Sequence, residues 1–201
     1  MKILFVADVS IQQVIGGAER VLFEQSTRLA QMGHTVTILT RRIPSHTSEY
    51  ETIQGVHEWR YCVDASNSLT FFQTSTRQCQ KLFQKISQDV SFDVINFHQP
   101  FSAYAVNSLK ASADIKKIYT CHSLAFEEYQ TRHTNRSLLS LPVVFLHTLI
   151  RKYIEQFSLH QSQKVITLSQ FTRDKLMATY KIPEHKIDII PGAADIDYFH
   201  P

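Results

Sequence analysis

Cysteine is scarce in this chain. There are three, Cys62, Cys79 and Cys121, an odd number with no C-x-x-C spacing. That argues against a disulfide framework and a zinc knuckle, and for a reducing, cytoplasmic setting. Glycine and proline are scarce too, at five and six among 201 residues, which argues against collagen-like and low-complexity chains. No stretch reaches the ~18 consecutive apolar residues of a membrane span. Residues 138–150 come nearest, but Ser140, Pro142, His147 and Thr148 interrupt them. The opening Met1 to Asp8 turns polar too soon for a signal peptide. Neither sign of charge dominates: 21 basic against 18 acidic residues leave a net charge of +3. Basic residues gather only in pairs, Arg41-Arg42, Lys116-Lys117 and Arg151-Lys152, so no nucleic-acid partner is expected. With 43% apolar and 19% charged residues, a packed globular domain is expected, and the length suits one.

Short apolar runs alternate with helical spacing along the chain. Strands are expected over residues 3–7, 35–40, 56–62, 92–97, 117–121, 165–168 and 187–190, from continuous or β-branched apolar runs. Helices are expected over 18–32, 69–88, 102–112, 138–161 and 171–180. Gly33 should cap the first of these, Pro142 should kink the fourth, and Ser169 should cap the last. Residues 41–54 are polar and weakly patterned, and read as loop. The alternation implies an α/β fold with βαβ crossovers and a mostly parallel sheet. Open parallel sheets bind ligands at the carboxyl ends of their strands. Residues 8–20, 40–42, 98–101, 122–126 and 169–172 are therefore the segments that could carry chemistry.

Gly16-Gly17 lies between the first strand and the first helix. A glycine pair there lets a ligand approach the backbone, and the helix start offers N–H groups to a phosphate. The spacing is neither G-x-G-x-x-G nor a P-loop, so a plain flexible turn stands beside the phosphate reading. His98 and His122 end two successive strands and could face one cleft, where imidazole suits sugar hydroxyls and phosphates; capping histidines are the other reading. No H-x-H or H-E-x-x-H occurs, so no metal ligands are expected, and no G-x-S-x-G elbow marks a hydrolase. Residues 138–150 are expected to form a core helix. The alternative is an apolar, basic-edged surface resting on anionic lipid.

Five segments together carry a resemblance. Lys2-Ile3-Leu4-Phe5-Val6, Gly16-Gly17-Ala18-Glu19-Arg20-Val21-Leu22 and Leu29-Ala30-Gln31-Met32-Gly33-His34-Thr35-Val36 form the first. Asp93-Val94-Ile95-Asn96-Phe97-His98-Gln99-Pro100 and Thr120-Cys121-His122-Ser123 are the second and third. Val165-Ile166-Thr167-Leu168-Ser169-Gln170-Phe171-Thr172-Arg173 and Ile189-Ile190-Pro191-Gly192-Ala193-Ala194-Asp195 are the fourth and fifth. In this order they resemble the N-terminal half of retaining GT-B glycosyltransferases of the group 1, family 4 type. Asn96 stands where that family often has His, and Ala193 where it usually has Gly.

The resemblance implies a Rossmann-like, doubly wound sheet with helices on both faces. Residues 1–190 would form the acceptor-side domain, and 191–201 would begin the linker to a C-terminal donor-binding domain. It implies transfer of a sugar from a nucleotide-diphosphate sugar to an acceptor hydroxyl with retention, without a metal or other cofactor, and no activity for this half alone. Carried over by residue, Gly16 and Gly17 would meet the donor diphosphate and His122 the reacting sugar. His98, Gln99, Ser169 and Arg173 would line the acceptor side. Partners would be the nucleotide sugar, a glycan, lipid-linked or small-molecule acceptor, and the C-terminal domain, in the cytoplasm or peripherally at the inner face of the membrane. A stand-alone binding module or one subunit of a split transferase is the alternative. A dinucleotide-dependent oxidoreductase ranks last, because Arg41-Arg42 stand where an acidic ribose-binding residue would be needed.

Overall fold

A computed structural model of the chain describes residues 1–14, 16–133 and 141–192. Eight strands form one sheet: β1 (Lys2–Val6), β2 (Thr35–Arg41), β3 (Tyr50–Ile53), β4 (Val56–Tyr61), β5 (Val94–Phe97), β6 (Lys116–Cys121), β7 (Lys164–Thr167) and β8 (Ile187–Ile189). Their spatial order is β3-β4-β2-β1-β5-β6-β7-β8. Every neighbouring pair is parallel except β3 with β4. Among the described residues six α-helices connect them: α1 (Gly17–Gln31), α2 (Ser68–Asp89), α3 (Pro100–Asn107), α4 (Ala125–Thr131), α5 (Leu141–Gln161) and α6 (Gln170–Tyr180). The order reverses at β1. The chain runs outward from β1 through β2 to β4, then returns to β5 on the other side and runs outward again. The crevice beyond the carboxyl ends of β1 and β5 is therefore the switch point of the sheet.

The central strand feeds two cores by its period of two. Leu4 and Val6 join a cluster with Cys79 and Phe83 of α2, Ala103 of α3, Leu159 of α5 and Leu176 of α6. Ile3, Phe5 and Ala7 join another with Leu22 of α1 and Ile38 of β2. A strand covered on both faces must be apolar at every position, which is why this run reads as unbroken hydrophobicity.

The expected helix ends hold locally. Gly33, at φ 86°, follows α1; its N–H bonds the carbonyl of Ala30 and that of His34 bonds the carbonyl of Leu29, a Schellman closure. Ser169 caps α6 through Oγ, which accepts from the N–H of Thr172 at 3.2 Å. Pro100 opens α3 two residues before the expected Ser102, since proline tolerates the first helical turn. A separate 3-10 turn, Lys110–Ser112, replaces the expected tail of α3.

Three expectations are corrected. Residues 41–54 are not all loop: β3 pairs antiparallel with β4 through a two-residue turn, where Gln54 and Gly55 have φ of 48° and 82°. Positive φ at both central residues is the type I′ geometry that hairpins favour. The helix α4 falls in a segment where none was expected. Residues 143–150 are not core: Val143, Phe145, Leu146, Leu149 and Ile150 are exposed, Phe145 by 65%, whereas Ile154 further along α5 is 2% exposed. The reason is length. At 1.5 Å per residue α5 runs roughly 32 Å and α3 only roughly 12 Å. The second half of α5 packs on α3, with Ser158 Oγ donating to the Pro100 carbonyl and Phe157 edge-on to Tyr104. The first half overhangs α3 and meets α4 along one side only, where His147 stacks on Tyr129 at 5.9 Å. The expected start of this helix at Leu138 lies outside the described residues, as do Ala193 and the segment after it; Pro142 stands in the first turn of α5 as described.

Candidate functional site

His98 follows β5 and His122 follows β6, and these strands are neighbours in register, with Phe97 beside Tyr119. The pairing brings the two imidazoles together: His98 Nδ1 lies 3.1 Å from His122 Nε2. His98 is 2% exposed, its backbone N–H bonds the Val6 carbonyl, and its ring meets Phe5 edge-on at 5.4 Å. Burial holds its pKa well below the ordinary imidazole value, and the adjoining His122 lowers it further. His122 is only partly buried. Burial lowers its pKa as well, against the opposing pull of Glu128 on α4 and Glu19 on α1. Burial thus biases both rings toward the neutral form.

The start of α1 is open. Gly16 is its N-cap and provides no side-chain cap. The first carbonyl bond of the helix runs from the N–H of Arg20 to Gly16, so the earlier N–H groups keep the orphan character of a helix start. A Cβ at Gly17 would meet nothing within 4 Å. A Cβ at Gly16 would stand 2.8 Å from Glu19 Oε2. The glycine pair is therefore unequal: an incoming group has room at Gly17, while the Glu19 carboxylate covers Gly16.

Other expected site residues are drawn into local structure. Gln99 Oε1 accepts from the backbone N–H of Asp8 at 2.8 Å and so ties the end of β1 to the start of α3. Ser169 is occupied as the cap of α6. Arg173 pairs with Asp174 at 3.1 Å and Glu184 at 3.2 Å. Asn96 lies inside β5, where Oδ1 accepts from Thr120 Oγ1 at 2.9 Å. His98, Gln99 and His122 thus gather at the switch point, and Ser169 and Arg173 form a second cluster at the end of β7.

Several polar groups near this crevice were not singled out in the sequence. Asp8 follows β1; burial raises its pKa, against the attraction of Arg41 and hydrogen bonds with Ser102 and Tyr61. Glu58 and Arg60 of β4 are fully buried and paired at 2.6 Å. Ser10 Oγ and the N–H of Ile11 both donate to Glu58, at 2.7 and 2.9 Å, which pins the β1–α1 loop to the sheet. Charged residues at alternate strand positions, such as Glu58 and Arg60, are the only sequence signal of this network. Glu155 of α5 is buried, accepts from Tyr180 at 2.5 Å and from the N–H of Ala125 at 3.0 Å, and is pushed by burial up to about 7. Beside the crevice a cavity of about 690 Å³ is lined by Leu69, Phe71, Phe72, Phe101, Ile150 and Arg151, among others. Arg151 lies over the Tyr129 ring at 4.0 Å and near Phe101 at 5.3 Å. Among the described residues no group of three metal-ligating side chains occurs, and no helix is long and apolar enough to cross a membrane.

The profile of Glycosyltransferase Family 4 matches residues 15–198. This chain belongs to that family. An uncharacterized glycosyltransferase of Methanocaldococcus jannaschii is 22% identical over 191 residues, which are 94% of this chain and 45% of the relative. Sucrose-phosphate synthase from Thermosynechococcus elongatus superposes with a TM-score of 0.79 at 17% identity, over 100% of this chain and 50% of that one. The catalytic domain of starch synthase IV from Arabidopsis thaliana, bound to ADP and acarbose, gives 0.60 at 14% identity, over 98% and 52%. The fold is thus the GT-B half-domain, Rossmann-like and mostly parallel. The family 4 chain described here spans about half the length of the relatives it matches.

Proposed function

We propose that this family 4 domain is the acceptor-side half of a retaining glycosyltransferase. The complete enzyme moves a hexose from a nucleoside-diphosphate sugar to an acceptor hydroxyl. The observation that carries the reading is the contact of His122 with His98 beside the sheet's switch point, where His122 also feels the Glu19 carboxylate in the first turn of α1. His122 touches the reacting sugar, and the first-turn N–H groups at Gly17 receive the leaving diphosphate. Those donors take the role a cation would otherwise fill, so the transfer runs without added metal. The acceptor approaches from the side of His98, Gln99, Ser169 and Arg173. The donor-binding half comes from a following domain joined after residue 190, or from a separate chain. This half alone is inactive.

The test uses the protein with its donor-binding half present. Transfer from radiolabelled nucleotide sugars to an extract of acceptors is measured with and without EDTA, for the wild type and for His122→Ala. Expected outcomes are transfer insensitive to EDTA and a kcat lower by roughly 10²-fold or more in the variant, the scale of losing a positioned polar group. A change under threefold removes His122 from the reaction. Anomeric analysis of the product decides retention.

The overhanging half of α5 supports a second part of the reading. Its exposed Phe145, Leu146, Leu149 and Tyr153, beside Arg151 and Lys152, suit peripheral contact with an anionic bilayer at the cytoplasmic face. Co-sedimentation with phosphatidylglycerol vesicles at low salt is the expected result. Absence of lipid-dependent pelleting overturns it.

A further inference from the structure

We infer that His98 is a positioning residue that fixes His122 as the Nδ1–H tautomer, so that His122 presents a hydrogen-bond donor to the crevice. The inference deepens the proposed role of His122 and rests on it for its functional meaning, but the tautomer itself is a property of the folded chain alone.

The two rings meet through one hydrogen bond, His98 Nδ1 to His122 Nε2 at 3.1 Å. A neutral imidazole has one N–H and one bare nitrogen. A single proton therefore lies between the two rings, and two arrangements are available. In one, His122 donates from Nε2 to a bare His98 Nδ1. The proton of His98 then sits on its Nε2. In the other, His98 donates from Nδ1 to a bare His122 Nε2, and the proton of His122 sits on its Nδ1.

The far nitrogen of His98 separates them. His98 Nε2 is buried and has no hydrogen-bond partner. The first arrangement leaves an N–H bond there with nothing to accept it. The second leaves a lone pair against carbon. Buried orphan N–H groups are the rarer and costlier of the two in folded proteins, and lone pairs are left unmet more often. A third route, in which His98 carries a proton on each nitrogen, strands the same Nε2–H, and burial disfavours the doubly protonated form of both rings. The second arrangement holds. In general, the hydrogen bond made by one imidazole nitrogen sets the proton on the other.

The consequence lies at His122. Its Nδ1 makes no hydrogen bond among the described residues and is not among the buried unpartnered atoms, so it is the nitrogen left for a ligand. Held as Nδ1–H, it donates to an oxygen lone pair. A sugar hydroxyl oxygen or a phosphate oxygen fits, and both are present on a nucleoside-diphosphate sugar. His122 in this state does not take a proton from the acceptor hydroxyl. Its contribution to transfer is a hydrogen bond to donor oxygen, strongest where negative charge develops.

The experiment reads the tautomer directly. The 201-residue chain is produced with 15N-histidine, and long-range 1H–15N correlation spectra at pH 7.5 distinguish protonated from bare ring nitrogens. Nδ1–H with bare Nε2 is expected for both His98 and His122. An Nε2–H signal at His122 overturns the inference, and this wild-type measurement needs no variant to fold. His98→Asn keeps an N–H near the Nδ1 position and is expected to leave His122 as Nδ1–H. His98→Phe keeps the buried ring and removes the donor, and is expected to release His122 to a mixture richer in Nε2–H. An unchanged His122 spectrum in a folded His98→Phe chain also overturns the positioning role. Sugar transfer by the complete enzyme separates the two readings. If His122→Ala transfers normally, the catalytic reading fails while the spectra still stand or fall by themselves.

Discussion

The Glu58–Arg60 pair and the His98–His122 pair are both polar, both joined by a short hydrogen bond, and both rooted in the sheet. They differ in completeness. Glu58 accepts from Ser10, Ile11 and Arg60, and the Arg60 guanidinium also reaches Glu51 and the Ser48 carbonyl. Every strong donor and acceptor is met inside the protein. The histidine pair has one nitrogen sealed without a partner, His98 Nε2, and another, His122 Nδ1, with no hydrogen bond among the described residues. The completed network is scaffold: it holds the loop that leads to Gly16-Gly17. The incomplete pair is the one proposed to face the ligand. Polar groups at a binding site must keep unused hydrogen-bonding capacity, whereas those of a scaffold cannot tolerate it.

Four changes break or sharpen that contrast. Glu58→Ala has the largest expected effect, because it strands Arg60 as a buried charge with only the half-exposed Glu51 left to pair with. A loss of about 3–5 kcal/mol in urea unfolding is expected; a loss under about 1 kcal/mol would show the network to be dispensable.

Glu155 comes next. Its carboxyl is raised to about 7 from an ordinary 4.5, chiefly by burial. Between those values the folded chain holds more protons than the unfolded one, so stability should fall as pH rises from about 4.5 to 7 and then level off. The difference is on the order of 3 kcal/mol. Comparing urea midpoints at pH 5 and pH 8 checks it, and Glu155→Gln should flatten this component. An equal slope in the variant would assign the dependence to other groups.

His122→Ala should divide activity from stability. Alongside the roughly 10²-fold loss of kcat, a stability loss of about 1–3 kcal/mol is expected, below that of Glu58→Ala, since the buried His98 Nδ1–H is left without an acceptor. A loss as large as that of Glu58→Ala would make the pair scaffold as well. Gly17→Val should perturb the fold least. A Cβ there meets open space, so the thermal midpoint should move by no more than the equivalent of about 1 kcal/mol, while use of the nucleotide sugar is weakened by steric block. Unchanged KM and kcat for the donor would remove the open helix start from the site.

Long, strongly periodic elements were legible from residues alone. β1 could be read because a strand covered on both faces is apolar throughout. α1 and α2 could be read because their buried residues recur at helical spacing. The edge strand β3 was not, since an edge strand covered only in part keeps polar residues and carries little pattern. Nor was α4, whose seven residues bury none of their side chains and so leave no periodic trace. The exposure of residues 143–150 was misread for a different reason. Hydrophobicity states what a segment can bury, and only the length of its neighbour α3 states what it does bury.

The site divides along the same line. That His98 and His122 end strands, and that Gly16-Gly17 precedes a helix, followed from local pattern. That the two histidines touch did not, because contact requires β5 and β6 to be adjacent and in register. Ser169 and Arg173 also end or follow a strand, yet their side chains are engaged within their own corner. The sequence by itself determined most of the strands and helices, β3 and α4 excepted, and which residues stand near their ends, since backbone preference and hydrophobic period act over a few neighbours. The tertiary structure decided which of those ends meet, which polar atoms are sealed from water, and which nitrogen is left without a protein partner, since each depends on residues far apart in the chain being packed against one another.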